Sequence, residues 1–315
     1  MSPNPLVGCV LLRGGEVIAE GWHPEYGDVH AERMALQQAG ERARGATAIV
    51  TLEPCAHQGK QPPCVDALIE AGVRRVVVAT ADPNPEAEGG IAKLRAAGIE
   101  VEVGMNGAEA RRLNAPFFHR YAVPDRPWIA LKLATSVDGM LAPADRTRTQ
   151  LSGEESQGWV HELRAGFDAI GVGGTTALTD DPLLTVRGAV TPRVPPLRVI
   201  FAGDKTLPPD LKLFTVPGPR TIVYPGHDLR EILWHLRVDQ GVESLLIEGG
   251  AALAAALVEG GMVDRYFWIR TPAVLGPDAI PAHPWLRPAG GAPTGWRSIG
   301  HKSLGHDILH AMERA

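Results

Sequence analysis

One histidine, one glutamate and two cysteines in the first part of the chain have the types and spacing of a zinc site. His30 and Glu32 are separated by one residue, and Cys55 and Cys64 each follow a proline. Zinc prefers tetrahedral nitrogen and sulfur ligands, and a catalytic site leaves one of the four positions open for water. Three ligands from His30, Cys55 and Cys64 would leave that position free, so the pattern predicts a catalytic zinc centre.

Glu32 is predicted to move a proton rather than to bind the metal. Two residues beyond His30 it lies about 200° around an ideal helix, away from the metal-binding face. Zinc lowers the pKa of a bound water toward about 7. A nearby carboxylate can then take that proton and pass it to departing ammonia. His-x-Glu followed by Pro-Cys and a second cysteine is the pattern of zinc-dependent hydrolytic deaminases.

Several plainer interpretations compete with catalysis. A lone His-x-Glu is commonly a solvated helix start, Pro-Cys alone is commonly a packed turn, and a structural zinc site would normally supply four protein ligands. The ordered set is more specific than its parts, and we expect both cysteines at helix N-termini, where the positive end of the helix dipole favours thiolate. We assign the third cysteine, Cys9, to the core. The polar segment 57–61 between Cys55 and Cys64 fits either a solvated loop or a site for an anionic substrate tail.

Length and composition set the class of protein. At about 150 residues per domain, 315 residues predict two domains. The net charge is −5 and the basic residues are scattered, which argues against a nucleic-acid partner. No apolar run approaches the roughly 18 residues needed to span a membrane, and the first residues do not resemble a signal peptide. Three cysteines do not form a disulfide framework, so we expect a soluble cytoplasmic protein.

The elements that would position the zinc site alternate between strand and helix, which predicts an α/β layer with parallel strands at its centre. We predict strands at 7–12, 17–19, 48–52, 73–79 and 99–103, and helices at 30–43, 64–71 and 86–97. A proline-containing linker is predicted at 121–127. A second α/β region then begins with a strand at 128–134, with further strands at 169–172, 197–202, 244–247 and 265–269. The segment 277–300, rich in Pro, Gly and Trp, is interpreted as ordered loop.

Longer motifs resemble the bifunctional deaminase–reductase family of riboflavin biosynthesis. In the first half these are Pro-Asn-Pro-x-Val-Gly-Cys-Val from residue 3, Thr-Leu-Glu-Pro-Cys from residue 51 and Asp-Pro-Asn-Pro from residue 82. In the second half they are Leu-Lys-x-Ala-x-Ser-x-Asp-Gly from residue 131, Asp-Asp-Pro-x-Leu-Thr-Val-Arg from residue 180 and Glu-Gly-Gly from residue 248. The family usually has a helix before the first motif, and we expect that helix to be missing here.

The resemblance implies a fold, a function and two cofactors. A cytidine-deaminase-like three-layer domain (residues 1–123) would precede a dihydrofolate-reductase-like α/β domain (residues 124–315). The first would use Zn²⁺ to deaminate a diaminopyrimidinone ribosyl phosphate, and the second would use NADPH to reduce the ribosyl group to ribityl. The partner would be this phosphorylated pyrimidine, without nucleic acid or membrane, and the chain would form a homo-oligomer.

The resemblance also implies roles for individual residues. His30, Cys55 and Cys64 would hold zinc and Glu32 would shuttle protons, with Asn4, His23 and Lys60 near the substrate. Cofactor-binding positions would be Ala134, Thr176, Asp180, Gly203, Gly250, Ala251 and Ala252, within a turn that continues to Ala256. Substrate-binding positions would be Thr149, Arg164, Leu184, Arg187 and Glu248. Thr149, Leu151 and Ser152 are weaker matches, since the stretch 149–152 lacks an aromatic residue usual in the family. Lys132 and Asp138 are further candidates.

Physical chemistry supports part of this second assignment. Glycines at the strand-to-helix turns near 173 and 249 would let backbone N–H groups approach a pyrophosphate, although such clusters are commonly simple turns or helix caps. Neither forms a Gly-x-Gly-x-x-Gly fingerprint, so a Rossmann domain is not indicated. The guanidinium groups of Arg164 and Arg187 suit a phosphate, or else surface ion pairs. Lys132 and Asp138 fit a place near the hydride path or a structural pair.

Two rival functions make different predictions. A nucleic-acid deaminase with an appended domain predicts Cys-x-x-Cys and a basic channel, and neither is evident in this sequence. A zinc-stabilised scaffold without activity has no need for a proton shuttle, so the presence of Glu32 argues against it.

Overall fold

The fold is seen in a computed structural model that describes residues 4–59, 61–87, 89–145, 147, 149–282 and 293–315. Lys60 and residues 283–292 of the segment interpreted as loop lie outside the described residues. The chain divides into two compact units, Met1–Pro124 and Asp125–Ala315. No helix in the described ranges combines the length and the apolar character needed to cross a membrane.

The first unit is built on a five-stranded sheet with the order β2-β1-β3-β4-β5. The strands are β1 (Gly8–Arg13), β2 (Glu16–Trp22), β3 (Thr47–Val50), β4 (Arg75–Val78) and β5 (Glu100–Val103). The first strand pairs antiparallel with β2 and β3, whereas β3, β4 and β5 are parallel. The carboxyl ends of β3 and β4 therefore open at the same edge, where ligands bind in sheets of this kind.

Helices between and after these strands cover the sheet. They are α1 (Ala31–Ala39), α2 (Cys64–Glu70), α3 (Gly90–Ala96), α4 (Gly107–Leu113) and α5 (Ala115–Ala122), with a 3-10 turn at Gly40–Ala43. Helix α1 is shorter than predicted because Gly40 adopts a left-handed φ of 56°. Fully buried Leu11, Ala35 and Leu68 join strands and helices in one core, which also contains Cys9 as expected.

Helix α3 begins four residues later than predicted, because the chain before it forms a turn. The Asn84 backbone N–H donates to Asp82 Oδ1, and the Asn84 side chain accepts from the Glu86 N–H. Such side-chain bonds favour a turn over a helix start. A Cβ at Gly90 would lie 2.0 Å from the Pro54 carbonyl oxygen, so only glycine permits this close approach.

The second unit contains an eight-stranded sheet with the order β10-β9-β8-β11-β6-β12-β15-β14. Its strands are β6 (Trp128–Thr135), β8 (Ala169–Gly173), β9 (Leu197–Gly203), β10 (Thr221–Pro225), β11 (Ser244–Glu248), β12 (Arg265–Arg270), β14 (Trp296–Leu304) and β15 (Asp307–Arg314). Two short strands, β7 (Met140–Ala142) and β13 (Ile280–Pro281), form a separate two-stranded sheet. The strands from β10 to β12 in this order are parallel, and β15 and β14 extend the sheet antiparallel.

Helices of the second unit connect these strands. They are α6 (Glu154–Ala165), α7 (Gly174–Asp180), α8 (Lys212–Thr215), α9 (Leu229–Val238) and α10 (Ala251–Glu259). The core between sheet and helices contains fully buried Ile129, Leu245, Leu257 and Tyr266. Continuous burial of β6, β8, β9 and β11 is typical of parallel strands covered on both faces.

Two predictions of organisation are wrong in part. The linker predicted at 121–127 overlaps α5, which continues to Ala122, where the Arg120 guanidinium lies 4.8 Å from the Tyr121 ring. The segment 277–300 contains strand β13 and the start of β14 among its described residues, so it is not all loop. The first error is local, because α5 continues two residues into the predicted linker. The second arises because β13 pairs with β7 and β14 pairs with β15, and the local sequence does not reveal these pairings.

Candidate active sites

The predicted zinc ligands meet at the carboxyl edge of the first sheet. The ligand atoms of His30, Cys55 and Cys64 all lie within 4.8 Å of one another. His30 Nδ1 is 3.2 Å from Cys64 Sγ and 3.6 Å from Cys55 Sγ. In a tetrahedral site with Zn–N near 2.0 Å and Zn–S near 2.3 Å, nitrogen and sulfur are about 3.5 Å apart. The donor set and spacing therefore fit a zinc ion.

The two thiols also need a cation to ionise together. Hydrogen bonds from the Cys64 side chain and from His30 lower the pKa of Cys55 to about 4, against the opposing effect of burial. The interaction with Cys55 and burial raise the pKa of Cys64 well above its ordinary value. One thiolate thus forms readily and makes the second harder to form, which is the situation that a divalent ion reverses.

Of the two predicted cysteine ligands, Cys55 and Cys64, only Cys64 lies at the start of a helix. Cys64 is the first residue of α2, whereas Cys55 lies in the irregular segment after β3, so its predicted place at a helix N-terminus is wrong. The Cys64 backbone N–H nevertheless donates to Cys55 Sγ over 3.3 Å. The N-terminus of α2 therefore stabilises both sulfur atoms. Cys64 Sγ belongs to the first residue of the helix, and Cys55 Sγ accepts a hydrogen bond from the backbone N–H of that residue.

Glu32 lies in the first turn of α1 with 3% of its surface exposed, and it lines a cavity of about 370 Å³ together with His30 and Cys55. Burial raises the pKa of this carboxyl group, and the Cys55 thiolate adds to the effect. A carboxylate with a raised pKa holds and releases protons closer to neutral pH. Glu32 stands outside the group of three ligand atoms, and its role in proton transfer stays a prediction.

Asn4 and His23 lie on the same cavity. The Asn4 amide donates to His23 Nε2 over 2.9 Å, so His23 Nδ1 carries the proton that it donates to the Val29 carbonyl at 3.1 Å. The His23 ring stands edge-on to the His30 ring with 5.3 Å between centroids. His23 is therefore fixed in one tautomer beside a metal ligand.

Several residues of this cavity were not predicted from the sequence. Asp82 and Asn84 line it, and so does Tyr121, which was assigned to the linker. Burial raises the pKa of Asp82 to about 6. Glu53 holds this loop in place, because its carboxylate accepts the N–H groups of Asp82 at 3.3 Å and Ile91 at 3.0 Å. The Asp-Pro-Asn-Pro motif was the signal that could have identified Asp82 and Asn84.

A larger cavity of about 760 Å³ opens at the carboxyl ends of the parallel strands in the second unit. Among the predicted residues, its lining contains Ala134, Thr176, Asp180, Gly203, Gly250, Ala251, Ala252, Thr149, Lys132, Leu151 and Ser152. Lys205 and His227 also line it and were not predicted. The size is typical of a cofactor site.

The lining shows why this cavity suits an extended ligand. A Cβ added at Gly250, whose φ is 81°, would lie 3.0 Å from Thr176 Oγ1. Because Gly249 and Gly250 have no side chains, their backbone atoms form the cavity wall directly before α10, a nine-residue helix. Backbone N–H groups at a helix N-terminus favour phosphate, so the residues fit a dinucleotide.

Arg164 and Glu248 form a buried pair rather than a free anion site. Arg164 Nε and Nη2 donate to the two Glu248 carboxylate oxygens at 2.5 Å and 2.8 Å, and Nη1 donates to the Thr185 carbonyl at 3.0 Å. Despite burial, the Arg164 guanidinium keeps the pKa of Glu248 below its usual range. The substrate-binding role of Arg164 stays a prediction, and in this arrangement its guanidinium donates to Glu248 and to the Thr185 carbonyl.

Lys132 and Asp138 have separate environments. Lys132 pairs in register with Glu248 on neighbouring strands, and burial lowers its pKa while Glu248 opposes the shift. Asp138 accepts the N–H groups of Leu275 at 3.3 Å and Gly276 at 2.8 Å. The structural alternative is thus favoured for Asp138, whereas Lys132 lies at the cavity.

Leu184 and Arg187, two further predicted residues, lie away from the lining of the larger cavity. Leu184 is 2% exposed and packs its side chain into an apolar cluster with Ile170 and Val172. Arg187 is exposed and, like Glu248 and Arg164, is absent from the lining of the larger cavity. Lys60 lies outside the described residues.

Comparison with known proteins decides the family. Residues 1–80 match the cytidine and deoxycytidylate deaminase zinc-binding region, and residues 127–309 match the RibD C-terminal domain. The riboflavin biosynthesis protein RibD of Aquifex aeolicus is 39% identical over 87% of this chain and 82% of its own length. That of Escherichia coli is 39% identical over 88% and 84%.

The chain belongs to the RibD family. A solved structure of Acinetobacter baumannii RibD superposes with a TM-score of 0.83 at 34% identity, covering 100% of this chain and 93% of its own. A Thermotoga maritima structure described as a diaminohydroxyphosphoribosylaminopyrimidine deaminase and 5-amino-6-(5-phosphoribosylamino)uracil reductase has the same TM-score at 32% identity.

Family membership confirms the predicted class and chemistry. The chain is a bifunctional enzyme of riboflavin biosynthesis, with a zinc-dependent deaminase domain followed by a RibD reductase domain of mixed α/β architecture that uses NADPH. The roles of individual residues stay predictions.

Proposed function

We propose that the chain deaminates a diaminopyrimidinone ribosyl phosphate in residues 1–123 and reduces the ribosyl group of the product to ribityl in residues 124–315. The observation that carries the first step is the convergence of three ligand atoms within 4.8 Å beside a buried glutamate. The second step is supported by the cavity of about 760 Å³ with its glycine-lined turn.

In the deaminase, His30, Cys55 and Cys64 would hold the metal. A zinc ion there supplies a Lewis acid that makes water nucleophilic near neutral pH. Glu32 would accept the proton of that water and return it to the departing amino group, which leaves as ammonia. Asn4, His23, Asp82 and Asn84 would orient the pyrimidine, since all four line the cavity with Glu32. Lys60 would meet the phosphate.

In the reductase, the residues of the chain would position the cofactor and the substrate relative to each other. NADPH supplies the hydride. The turn from Gly250 to Ala252 would hold its pyrophosphate, with Ala134, Thr176, Asp180 and Gly203 along the rest of the cofactor, as their place on the cavity wall suggests. Thr149, Leu184, Arg187 and Glu248 would contact the substrate, with the Arg187 guanidinium at its phosphate. Lys132, Leu151 and Ser152 would border it. Arg164, which holds the Glu248 carboxylate, would contact the substrate beside it.

The setting in the cell belongs to the same proposal. All three cysteines are free thiols, which reducing conditions in the cytosol preserve, so the enzyme would work in the cytoplasm. It would act as a homo-oligomer on a small phosphorylated pyrimidine, without nucleic-acid or membrane partners.

A coupled assay with elemental analysis tests the proposal. The purified chain should contain about one zinc per chain, because three ligands define a single site. It should release ammonia from the diaminopyrimidinone ribosyl phosphate and oxidise NADPH only after that release. Zinc without ammonia release would favour the scaffold interpretation. Ammonia release without NADPH oxidation would contradict the reductase assignment alone.

A further inference from the structure

The segment from Asp181 to Arg187, here called the Arg187 segment, has an unusual backbone. Asp181 and Leu184 are non-glycine residues with positive φ, at 41° and 47°. Each such residue costs on the order of 1 kcal/mol and persists only where its surroundings hold it. At its start, the Asp181 carboxylate accepts the Lys212 N–H over 2.8 Å and lies 3.3 Å from Lys212 Nζ. In its middle, the buried Leu184 side chain packs in the core.

Helix α6 holds the far end of the Arg187 segment with two side chains. Arg164 Nη1 donates to the Thr185 carbonyl oxygen over 3.0 Å. The Arg187 backbone N–H donates to His161 Nδ1 over 3.2 Å. His161 and Arg164 are three residues apart and therefore share one face of the helix. Arg164 also donates two hydrogen bonds to the Glu248 carboxylate. Because Glu248 is the last residue of β11, Arg164 connects the Arg187 segment to a strand that ends at the larger cavity.

The bond to Arg187 requires an unprotonated Nδ1. Burial, then the Arg164 and Arg187 guanidinium groups, lower the pKa of His161, against weaker opposing effects of the Thr185 carbonyl and the Glu248 carboxylate. The charged groups facing the ring are thus Arg164 on its own helix, Arg187 on the segment and Glu248 on β11. If Nδ1 were protonated, it could no longer accept from Arg187 and would instead donate to the Thr185 oxygen, 3.2 Å away.

We propose that His161 is a positioning residue of the reductase, which fixes the backbone at Arg187 so that the Arg187 guanidinium is placed for the phosphate of the substrate. This inference rests on the proposed phosphate role of Arg187. His161 touches neither substrate nor cofactor in this proposal. Its loss should therefore weaken binding of the phosphorylated substrate while leaving NADPH binding and the hydride step unchanged.

Two substitutions of different character test the inference in the full-length enzyme. His161→Leu keeps bulk but removes the acceptor, and should raise the KM for the deaminated ribosyl phosphate about fivefold or more, the value of one hydrogen bond of about 1 kcal/mol. His161→Asn offers Oδ1 near the position of Nδ1 and should restore most of that KM. In both variants kcat and the NADPH Kd should stay near wild type. His301→Leu, at an exposed histidine of β14, is the matched control.

The pH profile gives a readout that a general packing role would not move. In wild type, the substrate KM should rise as the pH falls through the lowered pKa of His161, because protonation releases the Arg187 N–H. That rise should be weaker in His161→Asn, which carries no proton there. A KM for His161→Leu equal to wild type, a failure of His161→Asn to restore it, or an equal loss of NADPH affinity would each overturn the inference. Failure of the proposed function looks different, since wild type itself would then not oxidise NADPH with this substrate.

Discussion

The two cavities use different parts of the chain to bind their ligands. In the first unit, three side chains of uncommon type converge within 4.8 Å, and a buried glutamate lines the same cavity. In the second unit, the cavity wall is spread over the ends of several strands and is rich in glycine, alanine and threonine. The first site therefore depends on what its side chains are, whereas the second depends on where its backbone runs.

This difference predicts how each site responds to substitution. A metal ligand or proton shuttle has no chemical substitute among most side chains, so single changes there should abolish a reaction. A wall of small residues binds through many weak contacts, so single changes should produce graded effects on affinity. Four experiments, ordered by expected effect, test this contrast.

The largest effect is expected for Glu32→Gln. The amide keeps the shape of the side chain but cannot accept a proton, so ammonia release should fall by at least about 10²- to 10⁴-fold. Zinc content and NADPH oxidation with the deaminated substrate should stay at wild-type values, which serves as the internal control. Equal rates of ammonia release in wild type and variant would remove Glu32 from the mechanism.

The second experiment breaks the buried ion pair of the reductase with Arg164→Met. Both side chains are largely buried, with 12% and 10% exposed, and an unpaired buried carboxylate costs about 3–5 kcal/mol. Urea unfolding followed by tryptophan fluorescence reports mainly on the second unit, which holds six of the seven tryptophans. The variant should therefore show a lower free energy of unfolding at pH 7.

At acid pH, the difference in free energy of unfolding between wild type and Arg164→Met should become smaller. Glu248 has a lowered pKa in the fold, so its contribution to stability is present above the ordinary glutamate pKa and is lost as the pH falls through the lower folded value. The control is Arg126→Met, which breaks a bidentate pair with Asp264. That variant should also lose stability but keep the wild-type KM for the substrate, whereas Arg164→Met should raise it. If Arg164→Met had the same substrate KM as Arg126→Met, Arg164 would contribute to stability only and not to substrate binding.

The third experiment compares two exposed arginines. Arg187→Ala should raise the KM for the deaminated ribosyl phosphate about 10-fold or more, since a hydrogen bond to a charged group contributes about 1.5–3 kcal/mol. Arg230→Ala, on α9, removes the same charge and should leave KM unchanged. If both variants behaved alike, the effect would come from the overall charge of the enzyme and not from a phosphate contact.

How far the sequence predicts these sites follows from the same contrast. Cys64 at the start of α2 and the zinc ligands were predictable because their types are rare and their spacing is short. The pairing of Arg164 with Glu248 was not, because it joins residues 84 apart and depends on how α6 packs beside β11. The positive φ of Leu184 gives no sequence signal either, since leucine rarely adopts it and tertiary packing alone imposes it here.

The smallest effect, and the sharpest test of a backbone-built site, is expected for Gly250→Ala. One methyl group at a φ of 81° would strain the turn and approach Thr176 Oγ1 to 3.0 Å, which should weaken NADPH binding about fivefold through about 1 kcal/mol. Gly241→Ala imposes a similar strain at a φ of 68° but meets open space. NADPH fluorescence titration should therefore separate two variants of similar stability. Equal dissociation constants would mean that the cofactor does not follow the Gly250 backbone, and that the second site relies on side chains as the first one does.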